Sequence, residues 1–259
     1  MKLHRHDTDE AAAERRGVAE GRLPARYGEP WADAFLMRIV PHLKPGVRIL
    51  DVGSGARPTL SPDQRPAGCV YVGLDISGDE LARAGAGAYD ETMVGDVSVS
   101  QPSLAGRFDL VISWQVLEHV PSMRSAMATQ RAALVPGGRM VALLSGTWAA
   151  FALAARVTPY RIGTLLQARL LGVAPGEKFP TRYDGCTDRA LRRLLDEGGW
   201  ASWEIVPRYK AGGYLRFSRT LQRLYLVYEN WAARGPRVGL ATHYIVDAVS
   251  SDARILHDE

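Results

Sequence analysis

Cysteine is nearly missing from this chain. Only Cys69 and Cys186 occur in 259 residues, far apart and without metal-ligand spacing, which excludes a disulfide framework or a cysteine-built zinc site. Lysine is almost as scarce: Lys2, Lys44, Lys178 and Lys210 are the only four among 32 basic residues. The net charge is +4, yet no Lys/Arg run is dense enough for a nucleic-acid footprint, so no nucleic-acid partner is expected. Long apolar runs are missing too. The longest uncharged stretch, 140–155, has sixteen residues with Gly and Ser near its middle, short of the roughly 20 that a spanning helix needs. The first twenty residues alternate charges without an apolar run, so no signal peptide and a cytoplasmic location are expected.

What remains is a chain with 46% hydrophobic and 23% charged residues, enough to bury one large core. Residues 1–29 read as a polar N-terminal extension and 30–259 as a single domain. Within it, apolar strands alternate with helical stretches, the pattern of a mostly parallel sheet covered on both faces. Strands are expected at 47–51, 69–75, 91–96, 108–113 and 139–144, the last launched from the turn Pro136-Gly137-Gly138. Helices are expected at 30–43, 79–84, 123–134 and 188–197, the last with Thr187 as N-cap. An apolar helical insert fills about 147–186, and two final strands fall at 200–206 and 241–249. Between those strands Phe217, Leu221, Leu224, Tyr225 and Tyr228 share one helical face, opposite Arg216, Arg219 and Arg223. The bland expectation is a buried apolar face under solvated arginines. Docking on an anionic membrane is the alternative, and the insert could equally be a lid or a homodimer surface.

The chemistry is written at the ends of the strands. Leu50-Asp51-Val52-Gly53-Ser54-Gly55 is an apolar strand that ends in an acid and a Gly-x-Gly turn, which lets backbone approach a ligand at the carboxyl edge of the sheet. A dinucleotide fingerprint needs a third glycine three positions on, and Pro58 stands there. Asp51 would repel a pyrophosphate and suit a ligand with a positive centre; S-adenosylmethionine, a sulfonium with an ammonium and no phosphate, fits. Asp75, 75 − 51 = 24 positions on, is placed to accept both ribose hydroxyls, and Asp96 to accept from the adenine amino group beside Val97.

The ordered series Ile-Leu-Asp-Val-Gly-Ser-Gly, Val-Gly-Leu-Asp-Ile-Ser, Gly-Asp, Phe-Asp-Leu-Val-Ile-Ser-Trp-Gln-Val-Leu-Glu-His-Val and Leu-Val-Pro-Gly-Gly-Arg, spanning about 47–144, resembles the class I methyltransferases. The resemblance implies a Rossmann-like α/β fold, with a seven-stranded sheet whose last strand is antiparallel and helices on both faces. It also implies Asp51, Gly53, Ser54 and Gly55 near the methionine part of the cofactor. Asp75 would lie at the ribose and Asp96 at the adenine with Val97 beside the ring, and Ile76, Ser113 and Trp114 are further cofactor-binding candidates. The cofactor half is then about 47–145, with C-terminal strands and a helical insert at about 200–250.

Methyl transfer from a sulfonium needs alignment and dryness, and a base only if the acceptor holds its proton. His119 is the candidate base with Glu118 beside it; the alternative is that the pair braces the sheet edge. The turn after strand four, Ser113-Trp114-Gln115-Val116, lacks the Asn/Asp-Pro-Pro-aromatic signature of adenine amino methylation. It also lacks the carboxylate of metal-dependent catechol enzymes, so no divalent ion is expected. Tyr160, Arg161, Arg182, Tyr183, Tyr209 and Tyr214 are candidates to line the acceptor pocket. A small hydroxylated or carboxylated metabolite, such as a glycan or natural-product intermediate, is the leading acceptor. Methylation at carbon or nitrogen, a lipid-like acceptor, a nucleic-acid or protein substrate, and a non-catalytic cofactor-binding module all stay open. A nicotinamide oxidoreductase is disfavoured by Pro58.

Overall fold

The computed structural model describes residues 5–147, 181–215, 217–235 and 237–251. Seven strands form one sheet: β1 (Arg48–Val52), β2 (Val70–Asp75), β3 (Glu91–Val94), β4 (Phe108–Trp114), β5 (Leu134–Ser145), β6 (Trp200–Arg208) and β7 (His243–Ser250). Their order is β3-β2-β1-β4-β5-β7-β6. The first five run parallel, and β7 lies antiparallel to both β5 and β6. This is the sheet expected from the sequence.

The central strands are apolar on both faces because both faces are covered. Leu50, Val52, Val72, Leu74, Val111, Met140 and Val246 share one core with Met123, Ala126 and Met127 of α4 (Met123–Ala133) and Leu191 and Leu195 of α5 (Asp188–Glu197). Their neighbours in the strands, Ile49, Tyr71, Leu110, Ile112, Val141 and Ile245, turn to the other side. There they meet Phe35, Leu36 and Ile39 of α2 (Trp31–Ile39). Thr187 Oγ1 caps α5 by accepting from Ala190 N. α3 is short (Gly78–Ala82) and is capped by Ser77.

Three features differ from the sequence expectation. The strand β5 starts at Leu134 and passes through Pro136-Gly137-Gly138 as a bulge. Pairing jumps from Phe108↔Leu134 to Leu110↔Arg139, and Gly137 takes φ 73° to absorb the extra residues.

The stretch before residue 30 is not a detached polar extension. It contains α1 (Arg5–Ala19), and its polar side chains find buried partners far along the chain. Lys210, 2% exposed, pairs with Glu14 at 2.9 Å, donates to Glu29 O at 2.6 Å and lies 5.1 Å from the Trp31 ring. Tyr27 and Arg26 both donate to Glu229 at 2.6 Å.

The third difference concerns α6 (Arg219–Ala233), whose buried residues are Tyr225, Leu226, Glu229 and Ala232. Phe217, Leu221 and Leu224, expected inside, are exposed. Glu229 sets this orientation: it accepts from Tyr27, Arg26 and Ala211 N, and a buried charge must keep such partners.

His243, at the start of β7, lies with its ring 4.3 Å from that of Trp31, tilted by 57°, beside Lys210. Burial, with Lys210 and Arg208 near by, pushes its pKa down to about 3 from 6.5. The unfolded chain therefore takes up a proton near pH 6.5 that the folded chain refuses until about pH 3. This site's contribution to stability is complete above pH 6.5 and is lost as pH falls between those values. A His243→Gln variant is expected to lose urea resistance less steeply than the wild type between about pH 6.5 and pH 4. Parallel curves would contradict that assignment.

Candidate functional site

The carboxyl ends of β1, β2, β3 and β4 lie side by side, and the loops leaving them form one edge. The loop after β1 is the tightest. Gly53, at φ 67°, donates to Leu74 O at 2.6 Å, and a Cβ there would stand 2.3 Å from Val116 Cγ2. Only glycine fits both the backbone angle and the neighbouring loop. Gly55, at φ 49°, is held through its carbonyl by Tyr89 OH at 2.9 Å. A Cβ there would stand 3.4 Å from Asp75 Oδ2 and 3.3 Å from Glu80 Cβ.

Asp51 plays a different part from the one expected. Its carboxylate is 0% exposed and accepts from Thr59 N (2.7 Å), Thr59 Oγ1 (2.8 Å) and Tyr71 OH (2.6 Å). A group without accessible surface cannot touch a ligand, so Asp51 anchors the loop from beneath. The loop needs an anchor because the β1–β2 crossover contains only the short 3-10 turn Pro62–Gln64 where an α-helix usually sits. Pro58, Pro62 and Pro66 punctuate it, and proline interrupts helical hydrogen bonding. With no helix N-terminus there, the pyrophosphate seat of a dinucleotide fold is missing as well. Burial raises the Asp51 pKa to about 6 against the pull of its three donors.

Asp75 and Asp96 stand as expected at the ends of β2 and β3. Asp75 Oδ1 accepts from Ser77 N at 2.8 Å, and its carbonyl accepts from Gly95 N at 2.9 Å, which joins the two strand ends. Asp96 accepts from Ser98 N at 2.7 Å. Val97 is buried beside it, and Ile76 is 58% exposed over the same edge. Ser54 is nearly buried, its hydroxyl donating to Asp51 O. Trp114 packs on the α2 face of the sheet, edge-on to Phe35 at 5.1 Å.

At β4 and β5 the edge is polar and incompletely paired. Glu118 is buried, and burial raises its carboxyl above the usual range although His119 and Ser145 pull it back. Its Oε1 accepts from Ser145 N at 3.2 Å, and its carbonyl accepts from both Arg182 N and Tyr183 N. Glu118 thus braces the edge. Its Oε2, with Ser113 Oγ and Thr147 Oγ1, is buried without a hydrogen-bond partner. Buried polar atoms are nearly always paired, and these three stand at or just beyond the ends of the adjacent strands β4 and β5. His119 follows directly, half-buried, with its N–H on Val116 O.

The remaining acceptor candidates divide. Tyr160 and Arg161 lie outside the described residues. Arg182 is exposed beside the Glu118 carbonyl. Tyr183, at φ 54° and 9% exposed, packs into the core and does not line a pocket. Tyr209 is tied to the Arg237 carbonyl at 3.1 Å, and Tyr214 is exposed on the turn before α6. Sequence reasoning missed Thr59, Tyr71, Tyr89, Val116 and Thr147. One signal was there for Tyr89: Gly73 interrupts β2, and a Cβ on it would meet the Tyr89 ring at 2.7 Å.

Comparison with known proteins agrees with this layout. A family model described as a methyltransferase domain matches residues 25–205. A ubiquinone biosynthesis O-methyltransferase from Rhodopseudomonas palustris (strain BisB18) is 35% identical over 113 residues, which are 42% of this chain and 44% of the relative. Its namesake from strain TIE-1 is 34% identical over 171 residues, 64% and 66% of the two chains. The chain therefore spans between under half and about two thirds of the curated relatives it matches. Among solved structures, phosphoethanolamine N-methyltransferase 2 of Haemonchus contortus, in complex with S-adenosyl-L-methionine, superposes with a TM-score of 0.53 at 16% identity, covering 95% of this chain and 57% of that one. A SAM-dependent methyltransferase from Thermotoga maritima gives 0.52 at 12% identity, covering 84% and 89%. At such identities these structures speak for the fold alone.

Proposed function

The chain belongs to the methyltransferase domain family, and from that premise we propose that it transfers a methyl group from S-adenosylmethionine to an oxygen of a small-molecule acceptor. The observation that carries the reading is the glycine loop at the end of β1, where Gly53 and Gly55 leave no room for side chains and Gly55 lies against the Asp75 carboxylate. Gly53 and Gly55 would present backbone to the methionine part, Asp75 would accept the ribose hydroxyls, and Asp96 with Val97 and Ile76 would frame the adenine. When bound, the cofactor supplies an activated sulfonium methyl that needs no further activation by the protein.

The chain's own residues then have three tasks. Asp51, through Thr59 and Tyr71, keeps the glycine loop in one conformation, so that little ordering is left for binding to supply. Glu118 pins the β4–α4 loop to the end of β5. His119, next to Glu118 in the chain and near enough to act on its charge, is the residue proposed to take the acceptor's hydroxyl proton. A positioned base contributes about 10²–10⁴-fold, so His119→Ala is expected to lower kcat about 100-fold or more while leaving S-adenosylmethionine affinity unchanged. Unaltered turnover would end its candidacy.

An oxygen acceptor is favoured by relatives whose name is O-methyltransferase. A hydroxyl or carboxylate of a glycan or natural-product metabolite is the acceptor class proposed. The test is incubation with a methyl-labelled donor and a low-mass metabolite extract, followed by mild alkali. Label released as methanol indicates an ester at a carboxylate, and alkali-stable label located by NMR in a methoxy group indicates an ether at a hydroxyl. Label on nitrogen or carbon, or only on macromolecules, would contradict the reading.

A further inference from the structure

The described residues expose eleven large apolar side chains, and six of these fall between Tyr214 and Trp231. They form a stripe. Leu221, Leu224 and Trp231 lie along one side of α6, with Val227 beside them and Phe217 just before the Ser218 cap, and all are 48–70% exposed. Tyr228 fills the row, its ring 6.1 Å from Trp231. This face is additional to the one α6 buries, because Tyr225, Leu226, Glu229 and Ala232 already pack inward. Apolar surface concentrated on one exposed helix face marks a contact.

Charge identifies the partner. The only acid between residues 211 and 237 is Glu229, which is buried and bonded to Arg26 and Tyr27. Arg219, Arg223 and Arg234 are exposed. At about 100° per residue, Arg223 and Arg234 both project roughly a quarter turn from the centre of the stripe, where long side chains can reach outward along its flank. Arg237 lies 4.1 Å over the Trp231 ring and donates to its carbonyl, which holds the indole in place. Two copies meeting on this face would set arginines against arginines with no exposed acid in the segment to neutralise them. An anionic bilayer meets every requirement: apolar depth for Leu, Val and Phe, an interfacial seat for Trp and Tyr, and negative headgroups for the arginines.

We propose that α6 is a membrane-surface helix that seats Leu221, Leu224, Val227 and Trp231 in the interface of a bilayer containing anionic phospholipid. The inference is independent of the transfer chemistry. The full chain is sedimented with unilamellar vesicles of phosphatidylcholine alone and of phosphatidylcholine with about one third phosphatidylglycerol. The wild type is expected to bind the anionic vesicles and to be largely released by high salt. Leu224→Glu combined with Val227→Glu, both at exposed positions, is expected to lower the bound fraction about tenfold or more with an unchanged circular dichroism spectrum. Arg219→Glu with Arg223→Glu is expected to remove the preference for anionic vesicles. Failure of the wild type to bind, or equal binding by the Leu224/Val227 variant, would overturn the proposal. A concentration-dependent dimer lost in that variant, without vesicle binding, would assign the stripe to a second copy and overturn it too.

Discussion

Asp75→Ala is expected to weaken S-adenosylmethionine binding about 100-fold. A hydrogen bond to a charged acceptor contributes about 1.5–3 kcal/mol, and each 1.4 kcal/mol is tenfold in affinity, so loss of two ribose contacts reaches that range even if water compensates in part. Asp75 also receives Ser77 N through Oδ1, and the variant should therefore melt slightly lower. That is why affinity and melting temperature are measured together. Asp75→Asn keeps one acceptor oxygen and should fall between wild type and Ala. Affinity within about twofold of wild type would place the ribose elsewhere.

Glu229→Ala is expected to cause the largest loss of stability. One carboxylate, 1% exposed, accepts from the Tyr27 hydroxyl, the Arg26 guanidinium and Ala211 N, all at 2.6 Å. Its removal leaves the half-buried Arg26 guanidinium with only the Tyr209 carbonyl and Asn230 Oδ1, and strands two buried donors. Breaking such a buried charge pair costs about 3–5 kcal/mol. At about 2–4 °C per kcal/mol for a domain of this size, the melting temperature should fall by about 10 °C. Calorimetry or circular dichroism reads it directly; a fall of less than about 2 °C would mean that the Glu229 network is peripheral. Cofactor affinity at a temperature where the variant is folded should be unaffected, because the network lies at the far side of the sheet order from β1–β3.

The sheet and its cofactor edge were legible in the sequence because their signals are local. Apolar runs ending in Asp51, Asp75 and Asp96, with the glycines at 53 and 55, report strand ends and a tight turn within a few residues of each other. Asp51 shows where locality ends. Its position was readable, but its partners Thr59 and Tyr71 lie 8 and 20 residues away, and Tyr71 reaches it only because β1 and β2 pair in one register. The same limit explains α6. Of five apolar or aromatic residues expected inside, Tyr225 is buried but Phe217, Leu221 and Leu224 are exposed, because an unmatched buried charge at Glu229 costs more than leaving leucines in water. The partners of that acid, at residues 26 and 27, are about 200 positions distant. The role of residues 12–29 was hidden for the same reason: Glu14 and Lys210 are polar in the sequence and meet only in the fold.

The acceptor side was the least legible. Methyl transfer asks for shape and dryness more than for fixed catalytic residues, so residue type alone says little about which side chains face the acceptor. The orphaned oxygens of Ser113, Glu118 and Thr147 are a better guide to that side, and they are visible only once β4 and β5 stand next to each other.

Isothermal titration of the purified chain with S-adenosylmethionine and S-adenosylhomocysteine tests the central claim most directly. One-to-one binding of both in the micromolar range, carried by the glycine loop and lost with Asp75→Ala, is the predicted result. The absence of saturable heat for either ligand up to millimolar concentration, from a chain that is folded by circular dichroism, would contradict it.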